Sequence, residues 1–271
     1  MLVSNEIPFF KMHGLGNDFV IIYKHDIAYD INLSDLAIKI SDRRLGIGCD
    51  QFIVISIEPK LEMFIYNMDG SEANACGNGT RCVIKMLNEK IEKKEFQLNV
   101  KDRILDCKVT NKNTYSVNMG PASFKSDWML NSDELWNLAD SCTLDVREIM
   151  LVDMGNPHLV IIHNNLSLKE KEVLGEKLEK HSLFPNGVNV NFVNIKDRNI
   201  DLQVWERGAG FTLACGSGAC ASFAAARKMG FTDDEAIVNF KYGSLKLSYS
   251  NGNIIMNGPA SLVYQGIYHY E

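Results

Sequence analysis

No apolar run in this chain reaches membrane-spanning length, so no membrane partner is expected. The opening residues, Met1-Leu2-Val3-Ser4-Asn5-Glu6, lack the basic-then-apolar layout of a secretory signal. A basic surplus is missing as well: 28 Lys and Arg against 34 Asp and Glu leave a net charge of −6, which argues against nucleic acid as a partner. No CxxC pair exists, and the cysteine spacings 76/82 and 215/220 fit no zinc signature, so no metal is expected. There is no Walker loop, and Gly208-Ala209-Gly210 lacks the third glycine of a dinucleotide fingerprint. Low-complexity segments and long linkers are also absent. Seven cysteines, an odd number without secretory context, read as reduced thiols in the cytoplasm. What is present is a chain of 271 residues, 46% apolar, enough for one large domain or two of ordinary size.

One pattern occurs twice. Ala75-Cys76-Gly77-Asn78-Gly79 recurs as Ala214-Cys215-Gly216-Ser217-Gly218, each copy running into a helix-like stretch, Thr80 to Leu87 and Ala219 to Lys228. Gly16-Asn17 recurs as Gly155-Asn156 before an apolar strand, and Gly120-Pro121-Ala122-Ser123 recurs as Gly258-Pro259-Ala260-Ser261. All three recur at one offset of about 139 residues, too long for a solenoid, so the chain reads as a duplicated domain. The halves are then related by a pseudo-twofold, with the active site expected in the cleft between them.

Helices interleaved with many short strands, without regular βαβ spacing, favour an α+β fold. Strands are expected near 7–11, 18–23, 52–57, 61–67, 95–100, 103–110 and 113–119 in the first half. The second half should hold strands near 149–153, 159–162, 189–195, 199–205, 236–241, 244–249, 253–257 and 260–265. Helices are expected from a Ser34-Asp35 cap to about Arg44, near 132–140 from a Ser132 cap, and from Leu168 to His181. Leu36, Ile38 and Ile40 should face inward on the first, and Val173, Leu174 and Leu178 on the last.

A cysteine ahead of a Gly-polar-Gly turn at a helix start is a chemical arrangement. The glycines admit a ligand close to the backbone, the first N–H groups can hold an anion, and the helix dipole is expected to lower the thiol pKa from about 8.5. Two such thiols suit proton transfer at carbon. A thiolate removes a proton next to a carboxylate held by backbone amides, and a second thiol returns one to the opposite face, without metal or pyridoxal phosphate. Cys82, Cys107, Cys142 and Cys220 read as small buried hydrophobes, and Cys49 is given no role. A cysteine protease leaves the second copy unexplained, and a disulfide between the two loops would inactivate. A thiol-redox or non-catalytic protein is the alternative from a different class.

The motifs together resemble diaminopimelate epimerase. They are Lys11-Met12-His13-Gly14-Leu15-Gly16-Asn17-Asp18-Phe19, Asp69-Gly70-Ser71-Glu72 with the Cys76 loop, Met154-Gly155-Asn156-Pro157-His158, and Trp205-Glu206-Arg207-Gly208-Ala209-Gly210 with the Cys215 loop. The resemblance covers nearly the whole chain. It implies two pseudo-symmetric domains, each a strongly curved sheet or barrel around a central helix, spanning 1–121 with about 263–271 and 122–262. It also implies a cofactor-free inversion of LL- to meso-diaminopimelate, a small-molecule amino-acid substrate, and it allows a homodimer. By resemblance, Cys76 and Cys215 are the acid/base thiols, with His158 and Glu206 poising them. Gly77, Asn78, Gly216 and Ser217 match the binders of the reacting carboxylate, and Asn17, Gln51, Asn67, Asn156, Asn189 and Arg207 match other substrate contacts. Arg207 suits a bidentate clamp on a distal carboxylate. His13 is expected to order its own loop. One position departs: Phe211 stands where the family has Glu, the counterpart of Glu72 in the repeat. It leaves open a related histidine racemase or lanthionine epimerase.

Overall fold

The computed structural model describes residues 6–125, 127–130, 134 and 145–270. The helix expected near 132–140, apart from Glu134, and Cys142 lie outside them. The chain separates into two compact units, Met1–Asn118 with Gly258–Glu271, and Met119–Asn257.

In the first unit β1 (Glu6–Gly14) and β2 (Asn17–Tyr23) form a hairpin. Its turn needs positive φ at Leu15 (58°) and Gly16 (93°), which is why Gly precedes Asn17. The first strand thus runs on past the expected 11 to Gly14, and the Lys11–Asp18 stretch is mostly strand. Then follow α1 (Leu33–Ser41), β3 (Gln51–Ser56), β4 (Glu62–Asn67), α2 (Gly77–Ile91), β5 (Glu95–Val100), β6 (Arg103–Asn111) and β7 (Thr114–Gly120). The chain's last strand, β16 (Ser261–His269), pairs antiparallel with β1. The strand order is β16-β1-β2-β3-β4-β5-β6-β7, with β2/β3 and β4/β5 parallel and the other neighbours antiparallel. The strands β2 and β3 are buried on both faces and read as continuous apolar runs, as parallel strands under helices do.

The second unit repeats this plan: β8 (Val146–Asp153), β9 (Pro157–His163), α3 (Leu168–Glu179), β10 (Asn189–Lys196), β11 (Asn199–Glu206), the two-residue β12 (Gly210–Phe211), α4 (Gly216–Lys228), β13 (Glu235–Phe240), β14 (Gly243–Ser250) and β15 (Asn253–Gly258). The order β8-β9-β10-β11-β13-β14-β15 matches β1 to β7, again with parallel steps at β9/β10 and β11/β13. Register matches too: Phe19 faces Gln51 and His158 faces Asn189. Gly155 takes φ 92°, the same left-handed turn as Gly16. Among the described residues the strand path does not close on itself, in keeping with curved sheets around a central helix. The small-faced α4, rich in alanine, is buried along most of its length against β8 to β11. None of the helices among the described residues is long and apolar enough to cross a membrane.

Several expectations change in detail. The cap of α1 is Asn32, whose side chain accepts from Ser34 N and Asp35 N. Ile38 is exposed, because Leu36, Ala37 and Ile40 already fill the inward stripe. On α3, capped by Ser167 in a capping box with Glu170, Val173 is exposed and Gly175 takes the buried place, where a Cβ would meet the Trp205 ring at 2.6 Å. Both glycine turns belong to the helices they precede: α2 begins at Gly77 and α4 at Gly216. The last segment rejoins the first unit from Gly258, ahead of the expected 263.

Candidate active site

Each thiol is a helix N-cap. Cys76 (φ −150°, ψ 101°) accepts from Gly79 N at 3.4 Å, and Cys215 (φ −118°, ψ 113°) accepts from Gly218 N at 3.4 Å. A thiol thus occupies the place that Ser or Asp usually fills. The amides of Gly77 and Asn78 precede the first intrahelical bond, Thr80 N to Cys76 O, and those of Gly216 and Ser217 precede Ala219 N to Cys215 O. They sit at the positive end of each helix, where an anion is favoured. A side chain at Gly79 or Gly218 would need its neighbours to shift: a Cβ would meet Ile53 Cδ1 at 2.6 Å or Val204 Cγ2 at 2.9 Å.

In the first unit Asn17 is clamped from both ends. Its Nδ2 donates to Asp50 Oδ2 at 2.8 Å, which turns its Oδ1 to Asn78 Nδ2 at 3.1 Å and to the Cys76 thiol at 4.0 Å. Asp50 is itself held: Arg43 Nη2 bridges Asp18 Oδ1 (2.7 Å) and Asp50 Oδ1 (2.8 Å), and Lys11 Nζ reaches Asp18 (2.5 Å) and the Gly48 carbonyl. Burial pushes the Asp18 carboxyl up, but hydrogen bonds from Arg43 and Lys11 overcome it and hold the group at about 2. Asn78 Oδ1 accepts from the fully buried Arg81 guanidinium at 3.0 Å, and Arg81 Nε donates to the Pro259 carbonyl at 3.1 Å. Across β3 and β4, Gln51 Nε2 donates to Asn67 Oδ1 at 3.0 Å and Asn67 Nδ2 to Ser71 Oγ at 3.1 Å. His13 Nδ1 accepts from Gly16 N at 3.4 Å, a loop-ordering contact.

In the second unit Cys215 is buried beside a carboxylate. Its thiol is hydrogen-bonded to Glu206 and lies 3.6 Å from Ser217 Oγ. Burial, and then the Glu206 charge, push this thiol well above the usual cysteine range. The expected lowering by the helix terminus is therefore reversed at Cys215. Loss of water outweighs the Gly218 and Ser217 hydrogen bonds that favour the thiolate. Glu206 also accepts the Thr212 hydroxyl in a short hydrogen bond. Ser217 Oγ contacts His158 Nε2 at 3.1 Å and accepts from Asn156 Nδ2 at 3.3 Å. Burial, followed by the nearby Arg207 charge, lowers His158 to about 4, although its contact with Asn191 works in the opposite sense.

Asn189 supports backbone with both ends of its amide. Its Nδ2 donates to the Pro157 carbonyl at 2.8 Å, and its Oδ1 accepts from Arg207 N at 3.0 Å. The exposed Arg207 guanidinium donates to Asn186 O at 2.9 Å. Glu179, buried at the end of α3, accepts from Gly208 N and Trp205 Nε1, both at 2.8 Å, and so fixes the 206–210 turn. Phe211, half-buried, packs edge-on to Trp205 (centroids 5.2 Å apart) and against Phe192, at the margin of the core under α3. At that position a carboxylate would meet apolar ring faces.

Asp50, Arg81, Glu179, Asn191 and Thr212 are supports the sequence does not announce, because each works through a partner distant in the chain or on another element. Asp50 alone leaves a signal, standing beside Gln51 in a Gly-Cys-Asp-Gln turn. Among the described residues no group of three or more His, Cys, Asp or Glu side chains could hold a metal ion. Cys49, Cys82, Cys107 and Cys220 are buried free thiols. Burial raises Cys82 and Cys107 to about 12, so they are inert at neutral pH.

The family model for diaminopimelate epimerase matches residues 9–125 and 150–263. A diaminopimelate epimerase of Rickettsia bellii (strain OSU 85-389) is 50% identical over 270 residues, covering 99% of this chain and all of that one. One of Rickettsia akari (strain Hartford) is 50% identical over 268 residues, covering 98% and 99%. The fold is shared more widely. A Bacillus anthracis phenazine biosynthesis protein of the PhzF family superposes with a TM-score of 0.74 at 17% identity, over 97% of this chain and 99% of that one. A probable proline racemase of Agrobacterium radiobacter K84 gives 0.66 at 14%, over 96% and 92%. With its twin thiol caps, its duplicated strand order and half its residues shared with full-length relatives, this chain belongs to the diaminopimelate epimerase family.

Proposed function

We propose that this protein is an amino-acid epimerase that interconverts LL- and meso-diaminopimelate by a two-thiol mechanism without cofactor, in the reducing cytoplasm. One observation carries the reading: two thiols cap two equivalent helices, each next to amides that favour an anion. Cys76 and Cys215 act as the two bases. The amides of Gly77, Asn78, Gly216 and Ser217 hold the reacting carboxylate, which lowers the cost of a second negative charge at the α-carbon. At rest Cys215 is a protonated thiol whose hydrogen faces Glu206, so it is set to act as the acid. In the reverse direction Glu206 takes that proton and leaves the thiolate as base. By resemblance alone, His158 is assigned to poise Cys76; its described contacts are with Asn191, Asn156 and Ser217. Asn17, Gln51, Asn67, Asn156, Asn189 and Arg207 bind the remainder of the substrate, with Arg207 on the distal carboxylate. The packing of Phe211 on Trp205 and Phe192 gives no reason to move from a substrate with two amino-acid ends.

The test is α-hydrogen exchange in D₂O under reducing conditions, followed by NMR. LL-diaminopimelate should exchange with inversion, while Cys76→Ala and Cys215→Ala each lose inversion by about 10³-fold or more. Exchange with histidine or lanthionine but not with diaminopimelate would overturn the substrate. No exchange with any of the three would overturn the catalytic reading.

A further inference from the structure

In the second unit a line of polar side chains runs inward from the Cys215 loop and ends on backbone. Asn191, fully buried on β10, donates its Nδ2 to the Gly218 carbonyl at 2.9 Å and to Ser222 Oγ at 3.1 Å. A carbonyl offers only lone pairs, so the Asn191 amide cannot be reversed without setting oxygen against oxygen. Its Oδ1 is therefore the atom that meets His158 Nδ1, at 3.1 Å. An amide oxygen cannot donate, so Nδ1 must carry a hydrogen. In a neutral imidazole that leaves Nε2 with the lone pair.

Of the two contacts at Nε2, the Ser217 hydroxyl agrees with this direction and the Asn156 amide is not anchored against it. Ser217 Oγ, 3.1 Å from Nε2, donates to it, and the freed Ser217 lone pair accepts from Asn156 Nδ2 at 3.3 Å. Asn156 Oδ1 also lies 3.1 Å from Nε2, but no carbonyl anchors this amide as Gly218 anchors Asn191: the Ser217 hydroxyl serves it as donor or acceptor, so Asn156 follows the ring and accepts from Nε2 when that nitrogen is protonated. The first unit has no such line: the matching positions are Phe19 and Ile53, both fully buried and apolar.

We infer that Asn191 is a positioning residue that fixes buried His158 as the Nδ1–H tautomer, making Nε2 the nitrogen that exchanges protons at the Ser217–Asn156 end. The polarity of the whole line is set by the Gly218 carbonyl in the first turn of α4, the helix that Cys215 caps. The catalytic use of Nε2 rests on the function proposed above; the tautomer does not.

The test is ring-nitrogen NMR of the ¹⁵N-histidine-labelled full-length protein at pH 7, without substrate, so an error in substrate class leaves the readout untouched. For His158, assigned by comparison with His158→Gln, Nδ1 should appear as pyrrole-type and Nε2 as pyridine-type. A protonated Nε2 in the wild type would overturn the inference. Asn191→Leu removes the acceptor and should transfer the hydrogen to Nε2; an unchanged Nδ1–H tautomer in that variant would also overturn it. Should the Leu variant fail to fold, Asn191→Asp decides. It keeps an acceptor and should keep Nδ1–H, and loss of Nδ1–H there counts against the inference. With the epimerase assay in hand, kcat of Asn191→Leu should fall about 10²-fold with KM within about threefold, and Asn191→Asp should recover part of it. A rise in KM with kcat unchanged would assign Asn191 to binding instead.

Discussion

Phe19 and His158 hold the same place in the two halves: second strand, third residue after a left-handed glycine, directly across from the start of a parallel neighbour. Behind Phe19 lies Ile53; behind His158 lies Asn191. The apolar pair only supports the Cys76 loop, and the orienting contacts there come from the side, through Asn17, Asp50 and the Arg43 and Lys11 cations. The polar pair reaches the Cys215 loop from beneath, and Glu206 is added beside the thiol. One backbone plan thus carries two different proton environments. A two-base inversion calls for such inequality, since one thiol must be ionised while the other keeps its proton.

The strongest way to break this inequality is to give the second half the first half's support. The double substitution His158→Phe with Asn191→Ile should fold with some loss of stability, because the facing polar pair leaves together while Ser222 Oγ and the Gly218 carbonyl lose the Asn191 donor. It should lower kcat by about 10²–10⁴-fold. Circular dichroism and turnover check both parts, and wild-type turnover would show that the polar pair is dispensable.

Acid should separate the halves next. His158 titrates near 4 in the folded chain against 6.5 when free, so the unfolded chain binds the extra proton between those values. Stability from this residue is complete above about 6.5 and is lost as pH falls toward 4, by about 3 kcal/mol. Buried His163, lowered to about 4 by burial and the Lys171 charge, acts in the same window and the same unit. Asp18, held at about 2 in the first unit, keeps its contribution until pH falls below its free value of 3.8. Hydrogen exchange followed from pH 7 to 3 should show protection falling first in β9 and β10, then in β1 and β2. Loss in the opposite order would remove this distinction.

Glu72 and Phe211 supply a third contrast. Glu72 is exposed and lies 3.6 Å from Lys101, while Phe211 is packed on Trp205. Phe211→Glu should cost about 2 kcal/mol in urea unfolding and leave the substrate preference unchanged. A changed preference with unchanged stability would give Phe211 a part in specificity. The smallest effect is expected at Thr212→Val, which deletes one hydrogen bond to Glu206. A fall in kcat of about tenfold, with KM unchanged, is the expected result.

Much of this was legible in the sequence. The duplicated glycine motifs announced both the repeated fold and the two thiols, because short turns with fixed φ leave a local trace. The thiol environment was not legible. A helix terminus argues for a lowered pKa, but burial of Cys215 and the proximity of Glu206 are tertiary facts that reverse the sign. Asn191 was missed for a related reason: a single Asn in an apolar strand gains meaning only when the fold places it against His158 and Gly218. Ile38 and Val173 show the same limit on helices, where periodicity names a face but not its edges.

The return of the last strand to the first unit has a consequence for how the molecule is made. Arg81, fully buried in α2, is satisfied partly by the Pro259 carbonyl, and β1 is paired by β16. During synthesis these two contacts of the first unit form only after the residues of the second unit have been made. The half begun first thus depends on residues made after the other half, and the Asn78 side chain that Arg81 steadies gains this support only once residue 259 has been made.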